Sequence, residues 1–425
     1  MTHSAAPVEF TNVVCPLCGL GCDDLRVKID GKTVELVDGG CGISRRGFQQ
    51  ASLDKPPAPQ IDGRAVSLDQ AVARVADILR NARLPLLTGL ATDVQGARAI
   101  VTLAQRCNAV LDHMYSPGLF RNLHVLQDTG WIATSLTEVR NRADLVVVAG
   151  GRVFEQFPRL LERVLHPSHC LFRESTPREL VLIGPWKPSN LPPELTDWRP
   201  TIIPVTLSAI GEIVGTLRAM IAEQPLHVCK AAGVEIHTLE NLARRMQRAE
   251  YSTVAWAAGE LDFPHAELTV QSLVELVRDL NRTTRSAALP LGGAQGGITA
   301  QQVCMWRSGQ PLRSAFIGDE PRHDSVQYDS RRLLARGHID ALVWLSSFVP
   351  HTPPPETETP TVVLGHPNLS LVQTPAVYIP IGIPGIDHAG HAFRGDQVVI
   401  LPLRRLREST LPPATEVINS ITAAL

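Results

Sequence analysis

Four cysteines stand close together near the amino end, in Cys15-Pro-Leu-Cys18-Gly-Leu-Gly-Cys22-Asp-Asp and then at Cys41. They are half of the chain's eight cysteines. A C-x2-C-x3-C run with a fourth thiol downstream has metal-thiolate spacing, because a turn between the first two lets both sulfurs reach one centre. One metal site at Cys15, Cys18, Cys22 and Cys41 is therefore expected. The spacing leaves its occupant open between a [4Fe–4S] cluster and one tetrahedral zinc. Either would help hold a lobe with little core of its own. Asp23 and Asp24 suit helix capping or backbone hydrogen bonds better than ligation. Cys107, Cys170, Cys229 and Cys304 are scattered and read mostly as small buried hydrophobes.

Three further groups carry residue types that do chemistry. Asp112-His113 and His124 offer acid–base side chains, yet no nucleophile stands beside a base, so each histidine reads as structural. Leu291-Gly-Gly-Ala-Gln-Gly-Gly297 supplies Gly292, Gly293, Gly296 and Gly297 for close backbone approach. No Gly-Lys-Ser/Thr follows, so it is no P-loop. Tight packing or a subunit contact is the favoured reading, with a bound phosphate or pterin as the alternative. In Pro380-Ile-Gly-Ile-Pro-Gly-Ile-Asp387-His388-Ala-Gly-His391 the two histidines are too few for a metal site. Proline and glycine argue for a shaped loop whose polar side chains bond the backbone.

These residues need a scaffold, and 425 residues, 44% of them hydrophobic, can build a sizeable core in two or three domains. The formal charge of −2 has no basic concentration suited to nucleic acid. No apolar run reaches membrane-spanning length, and the first thirty residues lack a signal-peptide pattern, so a cytoplasmic protein is expected. Residues 1–60 read as a four-cysteine lobe with a hairpin of Leu25–Ile29 and Thr33–Leu36 about Asp30-Gly31-Lys32. Residues 61–205 read as a Rossmann-like α/β region. Its signals are a helix capped by Ser67, a strand at Leu84–Leu87, a helix capped by Asp93, and strands at Ala109–Asp112, Ala143–Ala149 and Val181–Gly184. The strands end near Gly89 and Gly150-Gly151, without a complete dinucleotide fingerprint. A proline-heavy crossing follows at Pro185–Pro204. A second α/β region spans 206–355, with helices around Leu207–Ala222, Ile236–Ala249 and Val270–Leu280 and strands at Thr253–Ala257 and Ala341–Leu345. Residues 356–425 read as an α/β segment completing the core, with strands at Thr361–Leu364, Ala376–Ile379 and Val398–Leu401.

Four segments occur in a telling order: the cysteine run, Leu126-Gln-Asp-Thr-Gly130, Glu138-Val-Arg-Asn-Arg-Ala-Asp144, and Ile383-Pro-Gly-Ile-Asp-His-Ala-Gly-His-Ala-Phe-Arg394. On these the chain resembles the molybdopterin-binding B subunit of formylmethanofuran dehydrogenase, within the broader dimethyl-sulfoxide-reductase-like family. The likeness runs from the cysteines almost to the carboxyl end. It implies an α/β, molybdopterin-oxidoreductase-like multi-unit fold with parallel sheets and a small N-terminal metal-binding lobe. In that redox family the four N-terminal cysteines hold [4Fe–4S] beside a bis-pterin molybdenum or tungsten centre, a role the resemblance carries onto Cys15, Cys18, Cys22 and Cys41.

The family also places a metal-ligating cysteine, in a Cys-His-Gly-Pro context, shortly before the Leu-Gln-Asp-Thr-Gly-like segment. This chain has His113-Met-Tyr-Ser116-Pro-Gly-Leu-Phe120 there and no cysteine between Cys107 and Cys170. Ser116 is a replacement in chemical type, and a neutral hydroxyl is a poor substitute for a thiolate on a soft metal. The departure turns the resemblance toward the B subunit of the bacterial formyltransferase/hydrolase complex. That likeness implies formyl transfer from formyl-tetrahydromethanopterin to a methanofuran-like carrier, then hydrolysis to formate, with both active sites on other subunits. The expectation is a noncatalytic subunit without molybdopterin, in a hetero-oligomer with amidohydrolase-like, formyltransferase and C-type subunits. A molybdenum- or tungsten-dependent dehydrogenase subunit using Ser116 or another oxygen ligand is the alternative. An unrelated pterin- or nucleotide-binding module is a third reading.

Overall fold

A computed structural model of the chain describes residues 6–425 other than 54, 173–177, 188, 190, 197 and 319. The cysteine run connects the first two strands of an antiparallel sheet, β1 (Val8–Val13), β2 (Leu25–Asp30) and β3 (Thr33–Asp38). The expected hairpin is present, with Asp30 opposite Thr33. β1 escapes a sequence reading because a register irregularity between Phe10 and Val13, with Asn12 at φ 55, breaks its alternation. Cys41 then caps α1 (Gly42–Gln50).

After the short strands β4 (Gln60–Ile61) and β5 (Arg64–Ala65) comes α2 (Leu68–Asn81). Its capping box is the one its sequence dictates: Gln70 N donates to Ser67 Oγ at 3.2 Å, and Ser67 N to Gln70 Oε1 at 3.0 Å. β6 (Pro85–Ala91) is buried along its whole length and leads into α3 (Val94–Arg106), capped by Asp93, and β7 (Val110–Leu111).

The next unit contains α4 (Ser116–Thr129), α5 (Leu136–Arg142), β8 (Leu145–Ala149), α6 (Val153–Gln156), β9 (Glu179–Gly184), α7 (Pro193–Thr196) and β10 (Thr201–Pro204). It continues with α8 (Ile210–Ile221), β11 (Lys230–Ala231), β12 (Val234–Glu235), α9 (Ile236–Arg248), β13 (Ser252–Trp256), α10 (Ala266–Leu280) and β14 (Ser286–Pro290). Residues 188, 190 and 197 of the proline-heavy crossing lie outside the described set, and the crossing ends in β10. The chain returns through α11 (Gly297–Ser308), β15 (Ser314–Ala315), β16 (Arg322–His323), α12 (Ser330–Ala335), β17 (Ala341–Ser346), β18 (Thr361–Gly365) and β19 (Val377–Pro380). β20 (Gly390–Phe393), β21 (Ile400–Leu403) and α13 (Ala414–Ala424) finish it.

Two compact units result, one from residues 1–116 with 293–425 and the other from residues 117–292. In the first, a nine-stranded sheet has the order β16-β15-β7-β6-β17-β18-β19-β4-β5. Its centre, β7 through β19, is parallel, and β15 and β4 join antiparallel at either end. In the second, β10-β9-β8-β13-β14 are all parallel. Leu145, Val147, Ile183, Trp256 and Leu273 belong to its core. The continuous apolar runs are what a sheet covered on both faces requires.

Candidate functional site

The cysteine loop is built largely from backbone hydrogen bonds. Cys15 N donates to Cys22 O at 2.8 Å and closes the loop on itself. Gln295 N then donates to Leu17 O at 3.0 Å, and Gly395 N to Gly19 O at 2.6 Å. The glycine-rich loop and the β20–β21 hairpin thus both pin it. Cys15, Cys18 and Cys22 are buried, whereas Cys41 is half-buried. The four are near enough for Cys18, Cys22 and Cys41 to raise the Cys15 pKa further, after burial has raised it most. Burial pushes the Cys18 thiol up to about 12.

The expected metal site is not what these residues form. Among the described residues no three or more His, Cys, Asp or Glu side chains are grouped so as to hold a metal ion, the N-terminal cysteines included. The physical reason is visible in the loop. Burial favours the protonated form of the Cys15 and Cys18 thiols. Cys41 is committed to the start of α1, with Ser44 Oγ accepting from its backbone N at 2.8 Å and lying 3.6 Å from its sulfur. The scattered cysteines also depart from expectation: Cys304 is buried, Cys107 and Cys170 are half-buried, and Cys229 is exposed.

Asp112, His113 and Ser116 come together in the first unit, at the carboxyl end of β7. His113 is fully buried. Its Nδ1 accepts from Tyr115 N at 3.0 Å, which leaves the proton on Nε2, 3.3 Å from Gln295 O. Burial lowers its pKa to about 4. The ring is therefore neutral near pH 7, with both nitrogens engaged by backbone. Asp112 is also fully buried and accepts from Ser330 N at 2.9 Å. Burial raises its pKa, and Arg313, 3.8 Å away, pulls against the rise.

Arg313 organises this cluster. Its Nε and one terminal nitrogen donate to Ser116 Oγ at 3.3 and 3.1 Å. It also donates to Ser325 O at 2.6 Å and pairs with Asp329. Ser116 is 1% exposed, and its oxygen receives the guanidinium. An oxygen already accepting two charge-assisted hydrogen bonds is badly placed to coordinate a cation.

The other sequence candidates sit elsewhere. His124 is exposed on α4, its ring 6.0 Å from Phe120. His391 is exposed on β20, while His388 is half-buried with Nδ1 3.0 Å from Ala389 O. The loop before them is shaped as expected: Asp387 accepts from Ile383 N at 2.9 Å and from Arg407 Nε at 2.7 Å. The glycine-rich loop serves close packing. A side chain on Gly293 would crowd Gly395, and one on Gly297 would press on the His113 ring. Gly296, at φ 73, lies where a Cβ would stand 2.7 Å from Thr92 O.

Sequence reasoning missed Arg313, Glu260 and His366. Each is a single polar residue after or before a strand, with no motif around it. His366 is fully buried at the end of β18 and burial pushes its pKa to about 3.

Comparison with known proteins bears on this geometry. No family model matches the chain. It is 29% identical over 362 residues to the B subunit of the formyltransferase/hydrolase complex of Methylorubrum extorquens, covering 84% of this chain and 94% of the relative. It is 27% identical over 417 residues to the B subunit of tungsten-containing formylmethanofuran dehydrogenase 2 of Methanocaldococcus jannaschii, covering 95% and 94%. A chain in the crystal structure of the Methylorubrum extorquens formyltransferase/hydrolase complex with methylofuran superposes with a TM-score of 0.75 at 27% identity, over 86% of this chain and 98% of that one.

The chain is homologous to the B subunits of formylmethanofuran dehydrogenase and the formyltransferase/hydrolase complex. Acetylene hydratase from Pelobacter acetylenicus shares the fold alone, with a TM-score of 0.66 at 9% identity, covering 98% of this chain and 69% of that one. The B-subunit homologue therefore has the molybdopterin-oxidoreductase-like fold with parallel sheets. Among the described residues no helix is long and apolar enough to cross a membrane.

Proposed function

We propose that this chain is a noncatalytic structural subunit of a cytoplasmic formyltransferase/hydrolase complex. The complex moves a formyl group from formyl-tetrahydromethanopterin to a methanofuran-like carrier and releases formate. Its amidohydrolase-like, formyltransferase and C-type subunits would hold the reacting groups, while this subunit supplies a folded surface for them.

One observation carries the reading. Ser116, the replacement in chemical type for the absent thiol, is buried and its hydroxyl oxygen accepts from Arg313. A thiolate supplies a soft, charged ligand, whereas this oxygen is hard, neutral and already engaged. His113 beside it is neutral and held by backbone at both nitrogens. The arrangement supports packing over turnover.

The test is Ser116→Ala in the assembled complex. Assembly with unchanged formyl transfer and formate release is expected. Loss of either activity in a fully assembled complex would overturn the reading, as would near-stoichiometric tungsten or molybdenum with pterin on this chain.

A further inference from the structure

In the 117–292 unit the first strand of the parallel sheet, β8, lies inside it. β9 and β10 extend to one side, β13 and β14 to the other. The direction of winding reverses between β8 and β13, so the loops leaving these two strands diverge. That reversal makes the crevice in which open parallel sheets bind their ligands, and backbone N–H groups there receive phosphate in dinucleotide-binding folds.

Here those N–H groups are taken by the chain itself. Glu260, from the loop after β13, reaches the loop after β8 with Oε2. It accepts from Gly151 N at 2.9 Å and from Arg152 N at 2.8 Å. Gly150 sits at φ 142, and a side chain there would overlap Glu260 Oε1. Only glycine at that position both takes the backbone angle and leaves space for the carboxylate. Pro185 stands 2.6 Å from where a Gly151 Cβ would be, and the indole that follows, Trp186, is 3% exposed.

The other unit has a parallel arrangement made from different residues. Its winding reverses between β6 and β17. Asp93, in the loop after β6, is 1% exposed and accepts from Gly96 N at 3.1 Å. Its second oxygen lies 2.6 Å from where a Gly390 Cβ would stand. After β17, Ser347 Oγ donates to Ala91 O at 2.7 Å. In this unit the carboxylate caps its own helix and holds the single amide of Gly96, whereas Glu260 reaches two amides of a loop 108 and 109 positions away.

We infer that Glu260 is a built-in acceptor which takes the place of a ligand phosphate on the Gly151 and Arg152 amides and sets that crevice against phosphorylated ligands. A phosphate group entering there meets a carboxylate already holding the donors it needs. The inference rests on crevice geometry and stands apart from whether the subunit is catalytic.

The experiment titrates inorganic pyrophosphate into the full-length chain and its Glu260→Ala variant, with isothermal calorimetry and amide exchange as readouts. The unmodified chain is expected to show slow exchange at Gly151 and Arg152, unchanged by pyrophosphate at millimolar concentration. The variant is expected to bind at least about tenfold more tightly. Equal binding by both chains, or a folded variant that gains none, overturns the inference. Should Glu260→Ala unfold, Glu260→Ser keeps a polar side chain that is too short to reach the two amides. It is expected to gain binding in the same sense, and its failure to do so overturns the inference as well. Pyrophosphate-dependent protection of the Gly151 amide in the unmodified chain overturns it without any variant.

Discussion

Arg313 satisfies Ser116, Ser325 and Asp329 at once and is the positive charge that stands beside the fully buried Asp112. Replacing it with leucine strands that carboxylate. A loss of about 3–5 kcal/mol is expected from urea denaturation, as for other buried ion pairs broken on one side. Arg313→Lys should recover only part of that loss, because one ammonium cannot reproduce the planar fork on Ser116.

His113 gives a second prediction, with a sign that follows from proton uptake. Its folded pKa lies near 4, below the ordinary 6.5, so the unfolded chain binds a proton that the folded chain refuses. Stability is therefore present above pH 6.5 and is lost as pH falls toward 4, by about 1.4 kcal/mol per pH unit for this residue. His366, pushed to about 3, acts in the same direction. Unfolding measured across that window should steepen toward acid, and His113→Gln should remove one proton's share of the slope. An unchanged slope in the variant would show that His113 is not the neutral group described.

At the scale of elements, the cysteine loop is held by β1, β2 and β3 and by backbone bonds from Gln295 and Gly395. Cys15→Ala is accordingly expected to cost roughly 0.5–3 kcal/mol and to leave the lobe folded. Thermal melts of the variant check it, and wholesale loss of β structure would count against a backbone-held lobe. Gly296→Ala should cost more than an exposed glycine replacement such as Gly309→Ala. Both have positive φ, at 73 and 71, but only Gly296 would drive a Cβ to 2.7 Å from a carbonyl oxygen, whereas nothing lies within 4 Å at Gly309. Calorimetric melting temperatures of the two variants decide this.

Legibility also differs by element. Ser67 with Gln70 and Asp93 with Gly96 announced their helices because a cap is a contact between neighbours in sequence. β8 and β17 were visible as unbroken apolar runs. β1 was not, since its irregular register spoils the period of two. The metal expectation failed for a related reason. Cysteine spacing says which thiols a turn can bring near one another, while burial, side-chain direction and competing partners decide whether they can share a metal.

At the scale of the molecule, one unit is continuous and the other is assembled from two distant stretches. The continuous unit has its own core around Trp256, Leu145 and Ile183. A fragment from Pro117 to Gly292 is expected to fold alone with a single cooperative melt, which circular dichroism can measure. A broad, non-cooperative transition would show that it needs the rest of the chain.

The family likeness, the parallel α/β class, most strands and the absence of a cysteine between Cys107 and Cys170 were all written in the linear chain. They depend on residue identity, period and order, which neighbours in sequence carry. The tertiary structure alone decided that Arg313 would meet Ser116 across 197 positions, that Glu260 would reach Gly151 across 109, and that β6 would pair with β17. Those meetings arise where loops from non-adjacent strands converge, and their partners share no local signal. That Cys15, Cys18, Cys22 and Cys41 do not group so as to hold a metal ion was likewise a matter of packing around the thiols and not of their spacing.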